Sequence, residues 1–317
     1  MTNLLVVCPI TQHMRQRLSD AFDFQEVSAL DDPEAWLAAH GGEITYLLTD
    51  GHLGVSADTL AFLPNLRIIS SYGVGYDGVD VSAASARGIP VCHTPGVLNE
   101  EVATTALLLY LACWRDFERQ TAQARSGRWA SDGALPLART ADGRKVGILG
   151  LGRIGKAIAR KLEVFGAEIS YHGRKPQDVP YVYEPDLTQM AKASDTLICI
   201  APGDASTRHL INREVLEAIG PEGYLINVGR GSTVDEDALA DAIEDGRLGG
   251  AGLDVFENEP HIPERLRAAP NVILTPHIGS ATEETRRAMG DLAIDNLLAS
   301  KDGRPLLTPV PESQSLV

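Results

Sequence analysis

Four cysteines in 317 residues, at positions 8, 92, 113 and 199 with no C-x-x-C pair, are too few and too scattered for a disulfide framework or a thiolate metal site. They read as reduced core thiols of a cytoplasmic protein, none of them a nucleophile, and no metal is expected. Cations are also short: 28 Lys and Arg face 43 Asp and Glu, a formal net charge of −15. Such a surface repels nucleic acid and anionic membrane, which argues against both as partners and requires any anionic substrate to be gathered by a local basic site. Long apolar runs are missing as well. The longest mostly apolar stretch, residues 102–113, is about half of the roughly 20 residues a bilayer span needs; it contains two threonines and reads as a buried helix. The opening MTNLLVVCPI has no basic segment and too short an apolar run for a secretion signal. There is no internal repeat and no low-complexity tract.

What the chain does have is KVGILGLGRIGKAIARKLEVFGAEISYHGRK at 145–175, around which the rest is organised. Val146, Ile148 and Leu149 form the short apolar run of a buried strand, and Gly150-Leu151-Gly152-Arg153-Ile154-Gly155 follows at once. Ile154, Ile158, Leu162 and Phe165 keep helical spacing, and a second apolar run rises at 167–171. Strand, glycine turn, helix and strand together turn a G-x-G-x-x-G pattern into a dinucleotide-binding fingerprint. Gly150 permits the tight turn, Gly152 lets the backbone approach a pyrophosphate, and Gly155 lets the helix pack on the strand. The anion sits on the free N–H groups of the helix start at Arg153 and Ile154.

About 20 residues on, an NAD site places an acid that accepts from the ribose 2′-OH. This chain has His172-Gly173-Arg174-Lys175 there. Without the acid a 2′-phosphate is no longer repelled, and Arg174 offers a planar fork to hold it, so the expected cofactor is NADP(H) rather than NAD(H). A solvated basic turn is the plain alternative for Arg174 and Lys175.

The first hundred residues alternate strand and helix. Apolar runs at 4–7, 44–48, 66–70 and 89–92 are separated by helical stretches at 11–22 and after Asp32-Pro33, a cap followed by an N1 proline. Such alternation argues a doubly wound parallel sheet. The loop SSYGVGYD at 70–77 follows one of these strands, and the N–H groups around Val74 and Gly75 are able to take a carboxylate, although glycine-spaced turns of this kind are also commonly structural. One long helix then runs from Asn99 to about Gln123, followed by Ser126-Gly127-Arg128-Trp129 and a polar stretch to Asp142. A second domain therefore begins near residue 98, with strands at 196–200, 224–227, 251–254 and 272–274 and a final helix at about 283–300 before a Pro-rich tail.

Three polar groups stand just after apolar runs of this second half: Arg230 in INVGRG, Glu259 in DVFENEP and His277 in LTPHIGS. Hydride transfer to a ketone needs a cation to hold the carboxylate and polarise the carbonyl, and an acid to protonate the new alkoxide. Arg, His and a carboxylate partner for the His make that set. Taken singly, His277 fits a satisfied loop histidine and Glu259 a solvated acid equally well.

In this order, SYGVGYDGVD, VGILGLGRIG, INVGRG, LDVFENEP and TPHIGS resemble the D-isomer-specific 2-hydroxyacid dehydrogenase family over nearly the whole chain, and most of all its NADP-dependent glyoxylate/hydroxypyruvate reductases. The resemblance implies an α/β protein of two Rossmann-like doubly wound domains. A flavodoxin-like substrate domain takes residues 1–98 and 285–317, and an NADP-binding domain takes 99–284, through which a homodimer forms. It implies Arg230 as the substrate-orienting cation, His277 as the acid/base and Glu259 as its partner, with the N–H groups of Val74 and Gly75 on the carboxylate. Besides the glycine turn and His172, Gly173 and Arg174, it places Pro202, Thr207, Asp254 and Gly279 at the cofactor, Asp254 on the nicotinamide carboxamide. Trp129 corresponds either to a segment that reaches the neighbouring subunit's site or to a packing residue. The implied activity is NADPH-dependent reduction of small 2-keto acids to D-2-hydroxy acids. The alternative is a non-enzymatic, nucleotide-sensing binding protein of the same fold, like the family's corepressors.

Overall fold

The computed structural model describes residues 3–317 and divides into two compact units, the residues up to Leu98 with Ala281–Val317, and Asn99–Ser280. In the first unit β1 (Leu4–Val6), α1 (Gln12–Ala21), β2 (Phe24–Glu26), α2 (Pro33–His40), β3 (Tyr46–Thr49), α3 (Ala57–Ala61), β4 (Ile68–Ser71), α4 (Val81–Ala86) and β5 (Val91–Cys92) follow in turn. The strands are all parallel, in the order β2-β1-β3-β4-β5, the flavodoxin-like order of a doubly wound sheet. Leu4, Leu5, Leu47, Leu48, Ile68 and Ile69 are fully buried, as expected of strands covered on both faces. The Thr11 hydroxyl caps α1 by accepting from the Met14 N–H, and Asp32 caps α2 ahead of Pro33. The edge strand β5 is covered by the tail: the Val310 N–H donates to the Val91 carbonyl and the Val91 N–H to the Ser313 hydroxyl, each at 2.9 Å. The strand β2 has no apolar run to announce it, being the half-buried tripeptide FQE.

The second unit opens on α5 (Asn99–Trp114), α6 (Phe117–Arg125) and α7 (Arg128–Asp132). The single helix expected from Asn99 to about Gln123 is thus broken. Asp116 adopts a left-handed backbone (φ 49°), which ends the helical ladder after α5 and starts α6 on a new axis; Asp is among the few residues that tolerate this conformation. There follow β6 (Lys145–Leu149), α8 (Arg153–Glu163), β7 (Glu168–His172), β8 (Val182–Tyr183), α9 (Leu187–Lys192), β9 (Thr196–Cys199), α10 (Arg213–Ile219), β10 (Tyr224–Asn227), α11 (Glu236–Glu244), β11 (Gly250–Leu253), α12 (Glu264–Ala268) and β12 (Val272–Leu274). The sheet order is β12-β11-β10-β9-β6-β7-β8. Counted from β6, this is the 3-2-1-4-5-6 order of a dinucleotide-binding sheet with a seventh strand added, and its order reverses between β6 and β9. Leu197, Leu225, Ala251, Leu216 and Leu239 make the centre of one face of its core. The chain then returns to the first unit through α13 (Glu283–Lys301), capped by the Thr282 hydroxyl. Among the described residues no helix is long and apolar enough to cross a membrane.

Candidate active site

Ligands of open parallel sheets sit beyond the carboxyl ends of the strands, at the point where strand order reverses. Here that point is the turn from β6 into α8. Gly150 has φ 99°, and a β-carbon on it would lie 2.9 Å from the Ile200 carbonyl oxygen after β9. A β-carbon on Gly155 would lie 2.2 Å from the Gly150 carbonyl oxygen, so the helix rests directly on the turn. Gly152 differs: a β-carbon there meets nothing within 4 Å. It is the N-cap of α8 and makes no side-chain cap bond, so the first helical N–H groups, with Arg153 and Ile154, have no capping side chain before them. That open cradle, at the positive end of an eleven-residue helix, fits a pyrophosphate.

At the end of β7, His172 is half-buried with Nδ1 2.9 Å from the Glu184 carbonyl, which makes Nδ1 the protonated nitrogen. Gly173 follows, and Arg174 and Lys175 are exposed. Among the described residues the Arg174 guanidinium has no protein partner.

The loops after β10, β11 and β12 carry Arg230, Glu259 and His277, so three adjacent strands present them side by side at one edge. His277 Nδ1 lies 2.7 Å from a carboxylate oxygen of Glu259. The other oxygen of Glu259 accepts from the Phe256 N–H at 3.0 Å, which fixes the carboxylate. His277 has a left-handed backbone, φ 52°, a conformation that costs a β-carbon-bearing residue energy and survives only where its surroundings enforce it. Asp254 enforces it. This residue is 1 % exposed, its carbonyl accepts from the His277 N–H, and its carboxylate accepts from the Thr275 hydroxyl (2.7 Å) and the N–H groups of Ile278 and Gly279 (2.8 Å each). Burial pushes the Asp254 carboxyl up from the ordinary carboxylate value, and these three donors act against it. The Gly279 N–H is therefore spent on the His277 loop.

Arg230 is held from its own backbone. Its carbonyl accepts from the Thr233 hydroxyl (2.6 Å) and the Asn227 amide (2.9 Å), both side chains 1 % exposed or less, while its side-chain stem packs against Gly203. On either side, β-carbons on Gly229 and Gly231 would strike the Ala201 and Phe256 carbonyls, so only glycine lets the neighbouring loops close on the arginine. Pro202 and Thr207 belong to one small loop after β9, where the Thr207 hydroxyl donates to the Pro202 carbonyl at 2.7 Å and accepts from the Asp204 N–H at 2.9 Å.

Sequence reasoning passed over Asn227 and Thr233, although a polar residue ending an apolar strand three positions before a catalytic candidate is a usable signal. It also passed over a second histidine–glutamate pair. His209 (φ 49°) sets Nε2 3.2 Å from Glu257, which also takes Arg208 at 2.5 Å. The Glu257 N–H donates to the buried Glu236.

In the other unit Val74 and Gly75 lie on the loop after β4. Their carbonyls are taken by His93 Nδ1 (2.9 Å) and the Ser71 hydroxyl (3.1 Å). Burial raises the thiol of each of the four cysteines, and all four are free and buried.

Residues 107–279 match the family described as D-isomer specific 2-hydroxyacid dehydrogenase, NAD binding domain. The chain is 43 % identical to glyoxylate/hydroxypyruvate reductase A of Arabidopsis thaliana, over 97 % of this chain and 98 % of the relative. It is 42 % identical to hydroxyphenylpyruvate reductase of Plectranthus scutellarioides, with the same coverage. Among solved structures, the NADPH-dependent glyoxylate/hydroxypyruvate reductase of Sinorhizobium meliloti, crystallised with NADP and malonate, superposes with a TM-score of 0.93 at 47 % identity, over 98 % of this chain and 97 % of that one.

Proposed function

The chain belongs to the D-isomer specific 2-hydroxyacid dehydrogenase family, and from that premise we infer an enzyme that reduces small 2-keto acids to D-2-hydroxy acids with NADPH. The observation that carries the chemistry is the 2.7 Å bond between His277 and Glu259, in the loops after β12 and β11, with Arg230 in the loop after β10, the other neighbour of β11. With Nδ1 donating to Glu259, Nε2 is the nitrogen that holds the transferable proton. When bound, NADPH supplies a hydride to the carbonyl carbon. The carbonyl π pair moves onto the oxygen as the hydride arrives at carbon, and His277 gives the Nε2 proton to that oxygen, which stays bonded to carbon as the hydroxyl of the product. Arg230 polarises that carbonyl and pairs with the substrate carboxylate, and the N–H groups of Val74 and Gly75, on the loop after β4 of the first unit, are donors from which a carboxylate can accept. The preference for NADPH rests on the acid-free turn at 172–175 and on Arg174, whose guanidinium has no partner among the described residues; the S. meliloti relative, described as NADPH-dependent, supports it. The relatives' names favour catalysis over a nucleotide-sensing role.

The test is the initial rate of reduced-nicotinamide oxidation with NADPH and with NADH, on glyoxylate, hydroxypyruvate and hydroxyphenylpyruvate. NADPH-dependent turnover is expected. Equal rates with NADH would remove the cofactor preference alone. No turnover on any 2-keto acid, with nucleotide binding intact, would remove the enzymatic reading.

We also propose a homodimer formed through the second unit. In its 117–137 stretch Phe117, Trp129 and Leu137 are 60, 67 and 98 % exposed, apolar surface that a second copy would cover. A monomeric mass by light scattering would overturn this. Free, buried cysteines support a cytoplasmic setting.

A further inference from the structure

Arg174, Lys175 and Pro176 form an exposed arch between two anchored residues. On one side the Gly173 carbonyl accepts from the Tyr183 hydroxyl at 3.1 Å. On the other, the Gln177 N–H donates to the Tyr171 hydroxyl at 2.7 Å, and the Gln177 side-chain amide donates to the Leu151 carbonyl at 2.9 Å, inside the glycine turn. Tyr171 is 1 % exposed, and its ring lies 5.3 Å from that of Tyr183. Both hydroxyl anchors therefore stand on one aromatic pair rooted in β7 and β8, and Pro176 stiffens the arch between them by fixing its own φ. The bond from Gln177 to Leu151 ties the arch to the helix start that would take the pyrophosphate. A charged side chain on a backbone already fixed at both ends has less freedom to lose when an anion arrives, which is the gain of preorganisation.

We propose that Gln177 and Tyr183 are positioning residues for cofactor choice: they hold the Arg174 arch in register with the glycine turn, so that the protein separates a ribose 2′-phosphate from a ribose 2′-hydroxyl. The proposal rests on the NADPH reading of Arg174. It makes the preference a property of the loop's anchors as well as of the arginine, so that an arginine on an untethered turn discriminates less.

Calorimetry on the full chain tests it, with adenosine 2′,5′-bisphosphate and 5′-AMP as probes that differ only in the 2′-phosphate. Gln177→Met and Tyr183→Phe each remove one anchor. Each is expected to weaken the bisphosphate by about 3–10-fold, the worth of one neutral hydrogen bond, and to leave 5′-AMP within about 2-fold. In an Arg174→Ala background neither should weaken the bisphosphate further, because the group they position is gone. Equal weakening of both probes would overturn the proposal by making the anchors mere supports of the glycine turn, and an unchanged bisphosphate affinity in both variants would overturn it outright. A wild-type protein that binds the two probes equally would take down the NADPH reading and this proposal together, whereas a wild type that discriminates beside variants that discriminate equally well refutes the anchors alone.

Discussion

At the β6–β7 end of the second sheet the candidate binding groups are backbone N–H donors on a glycine turn and one arginine that has no protein partner among the described residues. At the β10–β12 end the candidates are side chains with a supporting layer: Glu259 holds His277, the Phe256 backbone N–H holds Glu259, and Asn227 and Thr233 hold the Arg230 backbone carbonyl. The first end needs close approach to a large anion, and a bare backbone supplies it. The second needs a proton donor and a cation fixed to within fractions of an ångström, and that requires a supporting layer. Strain follows a related division: among the described residues the non-glycine positions with left-handed backbone are Asp116, His209 and His277, and both histidines are paired with a glutamate from the loop after β11.

The difference is broken most sharply by His277→Ala. Loss of the acid is expected to cut turnover by roughly 10²–10⁴-fold, with NADPH binding by calorimetry nearly unchanged. A comparable loss of nucleotide affinity would mean that the two ends are not separable.

The glycine turn offers a sharper contrast within itself. Gly155→Ala places a β-carbon 2.2 Å from the Gly150 carbonyl oxygen and is expected to cost roughly 1–3 kcal/mol of stability, or more. Gly152→Ala meets no protein atom within 4 Å and has an ordinary φ of −80°, so its melting temperature should hold or rise slightly. The β-carbon would stand in open space at the N-cap of α8, and if the pyrophosphate approaches there NADPH affinity should fall by about tenfold or more. If Gly152→Ala binds NADPH normally, the pyrophosphate does not approach there.

Arg174→Ala is expected to be the next smaller effect, about 1–3 kcal/mol of NADPH affinity, the scale of a charge-assisted hydrogen bond, with NADH untouched. Parallel loss of NADH, read in the same titration, would make Arg174 a structural residue.

Sequence made the two ends legible to different depths. The strand–GLGRIG–helix unit is a local code: each glycine answers to atoms within a few positions or on the adjacent strand, so periodicity and spacing suffice to find it. Arg230, Glu259 and His277 are legible as polar residues after apolar runs, and their family spacing joins them. What supports them is not. Asn227 reaches Arg230 through a buried side chain, Asp254 spends its carboxylate on a loop more than twenty positions away, and Gln177 finds Leu151 across the sheet edge. None of these has a periodic signature: the Asp254 and Gln177 bonds depend on where the fold brings two loops together, and the Asn227 bond is a contact within one turn, marked in the sequence only by the polar residue that ends the strand. The break at Asp116 was hidden for the opposite reason: the apolar spacing on both sides is helical, and only one backbone angle separates the two axes.

The smallest effect concerns the acidic character of the chemical end, which the nucleotide end does not share. Glu236 is 9 % exposed. Burial raises its carboxyl above the ordinary value, its bond from the Glu257 N–H works against this, and the charges of Glu257, Asp237 and Glu259 add to it. Between the unfolded and the raised folded value the native protein binds more protons than the unfolded chain. Stability from this group is therefore full below the unfolded carboxylate value, falls as pH rises through the folded one, and stays lower at neutral pH. Glu236→Gln keeps an oxygen to accept from the Glu257 N–H and removes the charge. Its melting temperature is expected to match wild type in acid, to gain progressively as pH rises, and to level off about 1–3 °C higher near neutrality. Melting curves across that range decide the matter: a variant less stable than wild type at neutral pH would show that the Glu236 charge is attracted by its surroundings more than burial and its acidic neighbours penalise it.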